Sequence, residues 1–291
     1  DPDRPRGPWQ NVHRAGSDCA AGEEIVPAGV RLAAPHLAAA AAFGLTALPV
    51  AYSPSVAVVA TGDELVDPAR VPAVHQIRRS NPFAIQAALQ ELGIGRVALL
   101  HCRDERGRLR RTLEGVLGKC DVLVLTGGVS MGQADFVPEV LADLGVKPVF
   151  HKVRQKPGKP FWFGLAPERP APAGTARAPE PIPVFALPGN PAAVLVCLYR
   201  YVLPALRAAQ GAAPEPSRAA RLVEGAPATG AFSLFRPVRT RLGEDGAVEA
   251  AFVATQGSGD FSGWARCDGF VELPAESGPL PAGTLARYVP W

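Results

Sequence analysis

Asp121-Val-Leu-Val-Leu-Thr126-Gly127-Gly128-Val-Ser130-Met-Gly132-Gln-Ala-Asp135 is the stretch on which the reading of the fold turns. Its first half is a continuous apolar run, the pattern of a strand buried on both faces. Its second half breaks into glycines and ends on an acid. Glycine lets backbone N–H groups approach an anion closely, so this strand predicts an anion-binding edge with a carboxylate beside it. Further on, Lys156-Pro-Gly-Lys159-Pro160 sets two lysines about a tight turn and adds positive charge.

The same pattern recurs on either side. Val56-Ala-Val-Val-Ala60 is a buried-strand run that ends in Thr61-Gly62-Asp63-Glu64. Ser80-Asn81-Pro82 opens a helix to Leu92, with Asn81 as N-cap, Pro82 in the first turn and Gly93 as the stop. Residues 96–101 read as a strand and 108–117 as a helix. Residues 136–144 read as a short helix capped by Asp135. Val184-Phe-Ala-Leu187 is another buried strand, running into Pro188-Gly189-Asn190-Pro191 and an apolar helix to about residue 207. Residues 168–183, rich in Pro, Ala and Arg, read as an insert between strands. The alternation predicts an α/β fold: a mostly parallel sheet with helices on both faces, in three layers. Three polar turns, at 61–64, 126–135 and 187–191, follow strand ends on one edge, where open α/β sheets bind ligands.

The flanks divide the chain. Residues 1–13 read as a tail, 14–53 as a segment too short to bury a core of its own, and 54–210 as the α/β domain. Strand-type runs at 232–238, 248–253 and 270–273 predict a small all-β domain over 215–291. A net charge of +3 gives no reason to expect nucleic acid. The five cysteines are scattered without a C-x-x-C pair, so a disulfide framework or zinc site is not expected, and a reducing, cytoplasmic setting is. No secretory signal is visible. The apolar stretch 192–206 is short for a membrane span and contains Arg200, so no membrane is expected. Because the chain starts at Asp1, an upstream piece is expected to be missing.

Taken together, Thr61-Gly-Asp-Glu-Leu65, Gln76-Ile77 with Ser80-Asn81, Thr126-Gly-Gly-Val-Ser-Met-Gly132 with Asp135, Lys156-Pro-Gly-Lys-Pro160 and Leu187-Pro-Gly-Asn-Pro191 resemble the molybdopterin molybdenumtransferase family, whose eukaryotic relatives include the gephyrin E domain. Gln256-Gly-Ser-Gly259 and Asp268-Gly-Phe-Val-Glu-Leu-Pro274 extend the match. The resemblance implies a molybdopterin-binding domain over 54–210, a C-terminal β domain, a partial platform over 14–53 and an elongated homodimer. A lid-like domain and the first platform strands are expected to be absent here. The implied reaction inserts molybdate into adenylylated molybdopterin, with Mg2+ assisting and AMP leaving. A molybdopterin adenylyltransferase and recipient molybdoenzymes are the protein partners it implies.

By the same resemblance, Asp135, Asp63 and Asp18 are the catalytic acids, and Asp135, Asp63 and Glu64 the magnesium ligands. Thr126, Gly127, Gly128, Ser130, Gly132, Asn81, Pro188, Gly189 and Asn190 hold molybdopterin. Lys156, Lys159, Pro160, Arg236 and Ser258 hold molybdate. Arg79 stands where the family usually has an acid, and Trp264 where it usually has an aliphatic residue. A pterin or cofactor carrier without insertion activity is the alternative, and an adenylyltransferase or pyrophosphatase with the same Gly-Gly turn is a further rival.

Overall fold

The computed structural model describes residues 7–10, 12–129, 135–169, 179–257 and 259–291. In chain order the elements are α1 (Ala34–Ala42), β1 (Val56–Thr61), β2 (Leu65–Val66), β3 (Ile77–Arg78), α2 (Asn81–Glu91), β4 (Val97–Cys102), α3 (Arg106–Leu117) and β5 (Val122–Thr126). Then come α4 (Val137–Asp143), β6 (Lys147–His151), β7 (Gln155–Lys156), β8 (Trp162–Arg169), β9 (Glu180–Leu187) and α5 (Pro191–Cys197). A π-helical turn, Leu198–Val202, joins α5 to α6 (Leu203–Ala209). The remainder is β10 (Arg218–Leu222), β11 (Ser233–Leu242), β12 (Val248–Phe252), α7 (Phe261–Trp264), β13 (Gly269–Leu273) and β14 (Leu285–Pro290).

Two compact units result: Asp1–Ala51 with Ala208–Pro214, and Tyr52–Arg207 with Glu215–Trp291. In the first, no described residue of 7–51 is buried, and α1 leaves Leu37 and the adjoining Phe43 exposed. The segment is too short to build a core, as its length predicted.

The second unit carries two six-stranded sheets among the described residues. The first runs β4-β1-β5-β9-β8-β6. Its first four strands are parallel, and β8 and β6 join antiparallel. Strand periodicity sorts the side chains into two layers. Ala57, Val59, Leu123 and Leu125 face α3 and α4, while Val56, Val58, Val122 and Val124 face α2, α5 and α6. The three-layer α/β expectation holds. The apolar helix Pro191–Ala209 is long enough to cross a membrane by length and composition, but its Val194, Cys197, Leu198, Val202 and Leu206 are packed in this core. Asp121 is the buried carboxylate that ties β5 to β1: it accepts from Ser55 N at 2.7 Å, Ser55 Oγ at 2.6 Å and the Tyr52 hydroxyl at 3.1 Å. Each acceptor bond offsets part of the cost of taking the charge out of water.

The second sheet runs β12-β10-β14-β13-β11-β7, with β12 also pairing β11. It contains all three strand runs expected after residue 215. It also contains β10 and β14, which the sequence reading did not single out. Its small core of Val238, Ala250, Val271 and Leu273 is separate from the α/β core. A further cluster spans the two sheets: Ala192 and Val196 of α5 pack with Phe235, Trp264 and Phe270. Trp264 is buried there, which accounts for a large aromatic at a position expected to be aliphatic.

Three local expectations are corrected. Ser80, not Asn81, occupies the N-cap of α2, because the Asn81 amide is drawn away to another turn. Phe136, not Asp135, precedes α4, since Pro138 fixes the helix start one residue later. The insert read at 168–183 is narrower, because β8 reaches Arg169 and β9 begins at Glu180. Residues 170–178 lie outside the described residues.

Candidate functional site

Strand order locates the site. From β1 the chain passes through α2 to β4 on one side, then returns through α3 to β5 on the other side of β1. Because α2 and α3 cover opposite faces, the crevice beyond the C-terminal ends of β1 and β5 is a topological switch point. Thr61-Gly62-Asp63-Glu64 and Thr126-Gly127-Gly128 are the two turns that flank it.

These turns fit only because they lack side chains at the closest points. Gly127 has φ 90° and Gly128 φ 68°. A Cβ on Gly127 would lie 2.6 Å from the Thr61 carbonyl oxygen, and one on Gly128 would lie 2.6 Å from Val137 Cγ2. The third turn is knitted to them. Gly127 N donates to Leu187 O at 3.1 Å, and Asn81 Nδ2 donates to Gly189 O at 2.8 Å. Asn81 Oδ1 is buried without a partner, an acceptor with no donor beside the turn. His101 Nε2 lies 2.9 Å from Gly62 O and braces the first turn from the neighbouring strand. The structure thus brings Asp63, Glu64, Asn81, Thr126, Gly127, Gly128, Pro188, Gly189 and Asn190 to one edge. The Gly127 N–H is committed to Leu187. Ser130 and Gly132 lie outside the described residues.

An acid that sequence reasoning missed belongs to this edge. Asp104 follows β4, and burial holds its carboxyl above the usual aspartate value. Repulsion from Glu64 and Asp63, and more weakly from Asp135, adds to the shift, while a bond from the Asp63 backbone opposes it. The signal available in the sequence was its place two residues after a strand end. Among the described residues, no cluster of three or more His, Cys, Asp or Glu is arranged to hold a metal ion by itself.

The lysine turn stands apart from this edge. The Lys156–Pro157 bond is cis, and Gly158 has φ 99°. A Cβ at Gly158 would lie 2.8 Å from Cys197 Sγ and 2.5 Å from Gln155 Nε2, so the turn rests directly on α5. Gln155 is buried; its Nε2 donates to Pro157 O at 2.9 Å and its Oε1 accepts from the Tyr201 hydroxyl. Lys156 and Lys159 hold their ammonium groups 5.1 and 5.6 Å from the centre of the Phe232 ring. Pro160 is half-buried where the turn leaves for Phe161. The turn and the three-turn edge share α5: Asn190 precedes its first residue and Cys197 is its last, about 10 Å along the axis.

The C-terminal sheet closes the lysine turn. Ser233 and Leu234 of β11 pair with Gln155 and Lys156 of β7. Arg236 stands two residues further along β11, its guanidinium 4.0 Å from the Phe252 ring centre. Ser258 lies outside the described residues, but Asp260 beside it organises that loop. Its carboxylate accepts from Gly263 N at 2.9 Å, Gln256 N at 3.0 Å and Ser262 Oγ at 2.8 Å, which holds its pKa down to about 2. Asp18 belongs to the first unit, exposed in a turn 3.2 Å from His13 Nδ1.

With this geometry in view, the comparisons decide the family. Residues 57–208 match a probable molybdopterin binding domain, and residues 219–291 match the MoeA C-terminal region, domain IV. The chain belongs to the molybdopterin molybdenumtransferase family, a family of molybdenum cofactor biosynthesis. It is 33% identical over 288 residues to the molybdopterin molybdenumtransferase of Synechocystis, covering 99% of this chain and 68% of the relative. The Haemophilus influenzae molybdopterin molybdenumtransferase is 29% identical over 98% of this chain and 68% of its own length. Among solved structures, the molybdopterin biosynthesis MoeA protein of Pyrococcus horikoshii superposes with a TM-score of 0.74 at 28% identity. That match covers 91% of this chain and 61% of the archaeal one. The chain therefore spans about two thirds of the length of these relatives.

Proposed function

We propose that this chain carries the molybdate-insertion site of a molybdopterin molybdenumtransferase: adenylylated molybdopterin and molybdate enter, molybdenum cofactor and AMP leave. The observation that carries the reading is the placement of a cationic turn beside the helix that begins at the glycine-turn edge. One end of α5 meets the three turns and the other meets Lys156-Pro-Gly-Lys159. A ligand with a phosphate at one end and a metal-binding group at the other has matching chemistry at both.

In this reading the N–H groups after Gly127, with Ser130 and Gly132, cradle the pterin phosphate, and Asn81 fixes the Pro188-Gly189-Asn190 turn against it. Lys156, Lys159, Pro160, Arg236 and Ser258 receive molybdate, an oxyanion that ammonium and guanidinium groups bind directly. Asp63, Glu64 and Asp135 would meet magnesium as hard oxygen donors alongside the substrate's phosphate oxygens, since the described acids form no closed metal cluster of their own. Magnesium bound there would neutralise the phosphoanhydride and ease departure of AMP. The chain's own part is positioning: it holds the phosphoanhydride at the strand ends and the molybdate at the lysines. Asp18 is assigned as a further acid by the family resemblance alone. The reading places the protein in the cytoplasm as a homodimer, and five free cysteines suit a reducing compartment.

The test is AMP release from adenylylated molybdopterin with magnesium, measured with and without molybdate. Molybdate-stimulated release supports insertion. Tight pterin binding with no release would make the chain a carrier and overturn the reading.

A further inference from the structure

We infer that Tyr201, on the π-helical turn between α5 and α6, is a positioning residue: acting through Gln155, it fixes the Lys156-Pro-Gly-Lys159 turn in the shape that molybdate requires, an assignment built on the molybdate role proposed for that turn. Gln155 lies beneath the turn and is 1% exposed. Its Nε2 donates at 2.9 Å to the carbonyl of Pro157, which stands between the two lysines in the chain. A carbonyl only accepts, so this bond sets which way round the amide lies. Gln155 Oε1 is then turned into the core, where the Tyr201 hydroxyl donates to it. Burial pushes the Tyr201 phenol above its ordinary value, so it keeps its proton and stays a donor through the neutral range.

Two further observations set this pair apart from an ordinary core contact. The helix that carries Tyr201 leaves α geometry at Leu198–Val202. Single π-helical turns inside α-helices are rare and occur frequently at functional sites. Tyr201 on this turn and Cys197 just before it meet the same side chain: Cys197 Sγ lies 3.6 Å from Gln155 Nε2 and 3.8 Å from Gly158 O. The Tyr201 ring is itself held, stacked on Phe161 at 5.1 Å, and the neighbouring Arg200 is tied to Glu272 of β13 at 3.0 Å. The second observation is the lysine pair. Both ammonium groups lie against one ring, Phe232, although like charges repel. A lysine stem is flexible and does not fix its own charge. The spacing of the two charges is therefore set by the backbone of the turn, and the Pro157 carbonyl is where Gln155 grips that backbone. Removing the Tyr201 hydroxyl leaves Gln155 Oε1 buried without a donor, and the amide must move to find one.

Calorimetric titration of the full chain with molybdate tests this, beside titration with adenylylated molybdopterin. Tyr201→Phe keeps the ring stack and is expected to weaken molybdate binding about tenfold, the effect of one unsatisfied buried acceptor. Pterin affinity should stay within about twofold, since it is read at the other end of α5. Gln155→Met removes both bonds at similar volume and should weaken molybdate at least as much. The double variant should be no worse than Gln155→Met alone, because Tyr201 acts through Gln155. Losses that multiply, unchanged molybdate binding in Tyr201→Phe, or equal loss of molybdate and pterin affinity each overturn the proposal. If Gln155→Met fails to fold, the split between molybdate and pterin in Tyr201→Phe decides alone. Failure of the insertion reading is seen separately, in AMP release. A wild-type chain that binds molybdate but releases no AMP is no transferase, and the binding comparison still decides Tyr201. A wild-type chain that binds no molybdate overturns both.

Discussion

Gly127 meets the Thr61 carbonyl so closely that the site depends on an absent side chain. Gly127→Ala is expected to destabilise the protein by about 1–3 kcal/mol, since both φ and the contact oppose it. Urea unfolding would read this directly. Asp135→Ala is expected to leave unfolding and pterin binding intact and to abolish AMP release; unimpaired release would remove Asp135 from the mechanism. Asp104 gives a pH signature. Its folded-state pKa is raised above the ordinary aspartate value of 3.8, so the folded form binds more protons than the unfolded form. Its contribution to stability is present below 3.8 and is lost as pH rises through the folded value. Asp104→Asn should flatten that part of the profile when magnesium is absent, measured by thermal unfolding across acidic pH. The residue scale also shows where sequence reading ended. Asp63, Gly127 and Asn81 stood out because a strand end, a positive-φ turn and an Asn-Pro pair leave local marks. Asp104 did not, because its character comes from burial and from Glu64 and Asp63, about forty residues upstream in the turn that follows another strand.

Among the elements, the parallel core strands were legible because burial on both faces leaves an unbroken apolar run, as in β1 and β5. β6 was not, since all five of its residues are exposed at a sheet edge. β7 was not, because two residues carry no period at all. It is nonetheless the strand that fixes the lysine turn, through Gln155 below and Ser233–Leu234 beside it. Gly158→Ala is expected to push the turn off Cys197 and raise the molybdate concentration for half-maximal AMP release several-fold, with pterin binding unchanged. Equal loss of pterin and molybdate affinity would mean that α5 had moved rather than the turn. The role proposed for Arg236 was legible only through family resemblance, since one charge on a strand has no local pattern, and the same holds of a lone serine such as Ser258.

Across the whole molecule, the α/β sheet and the C-terminal sheet share a cluster through Ala192, Val196, Phe235, Trp264 and Phe270. Calorimetry is expected to show residues 52–207 and 215–291 unfolding in one transition. Two resolved transitions would show that the shared cluster contributes little. The first unit, with no buried residue among its described ones, is the segment whose sequence said least beyond its length. The two-residue pairing of β7 with β11 has a consequence for recombination. A chimera that takes its C-terminal region from a relative, cut at the linker near residue 214, would keep both lysines in its own half. The backbone that holds their turn in register would then come from the donor. Such hybrids should fail by mis-set substrate geometry before they fail by instability, and a working exchange would have to carry the segment around Gln155 and Lys156 along with the donated sheet.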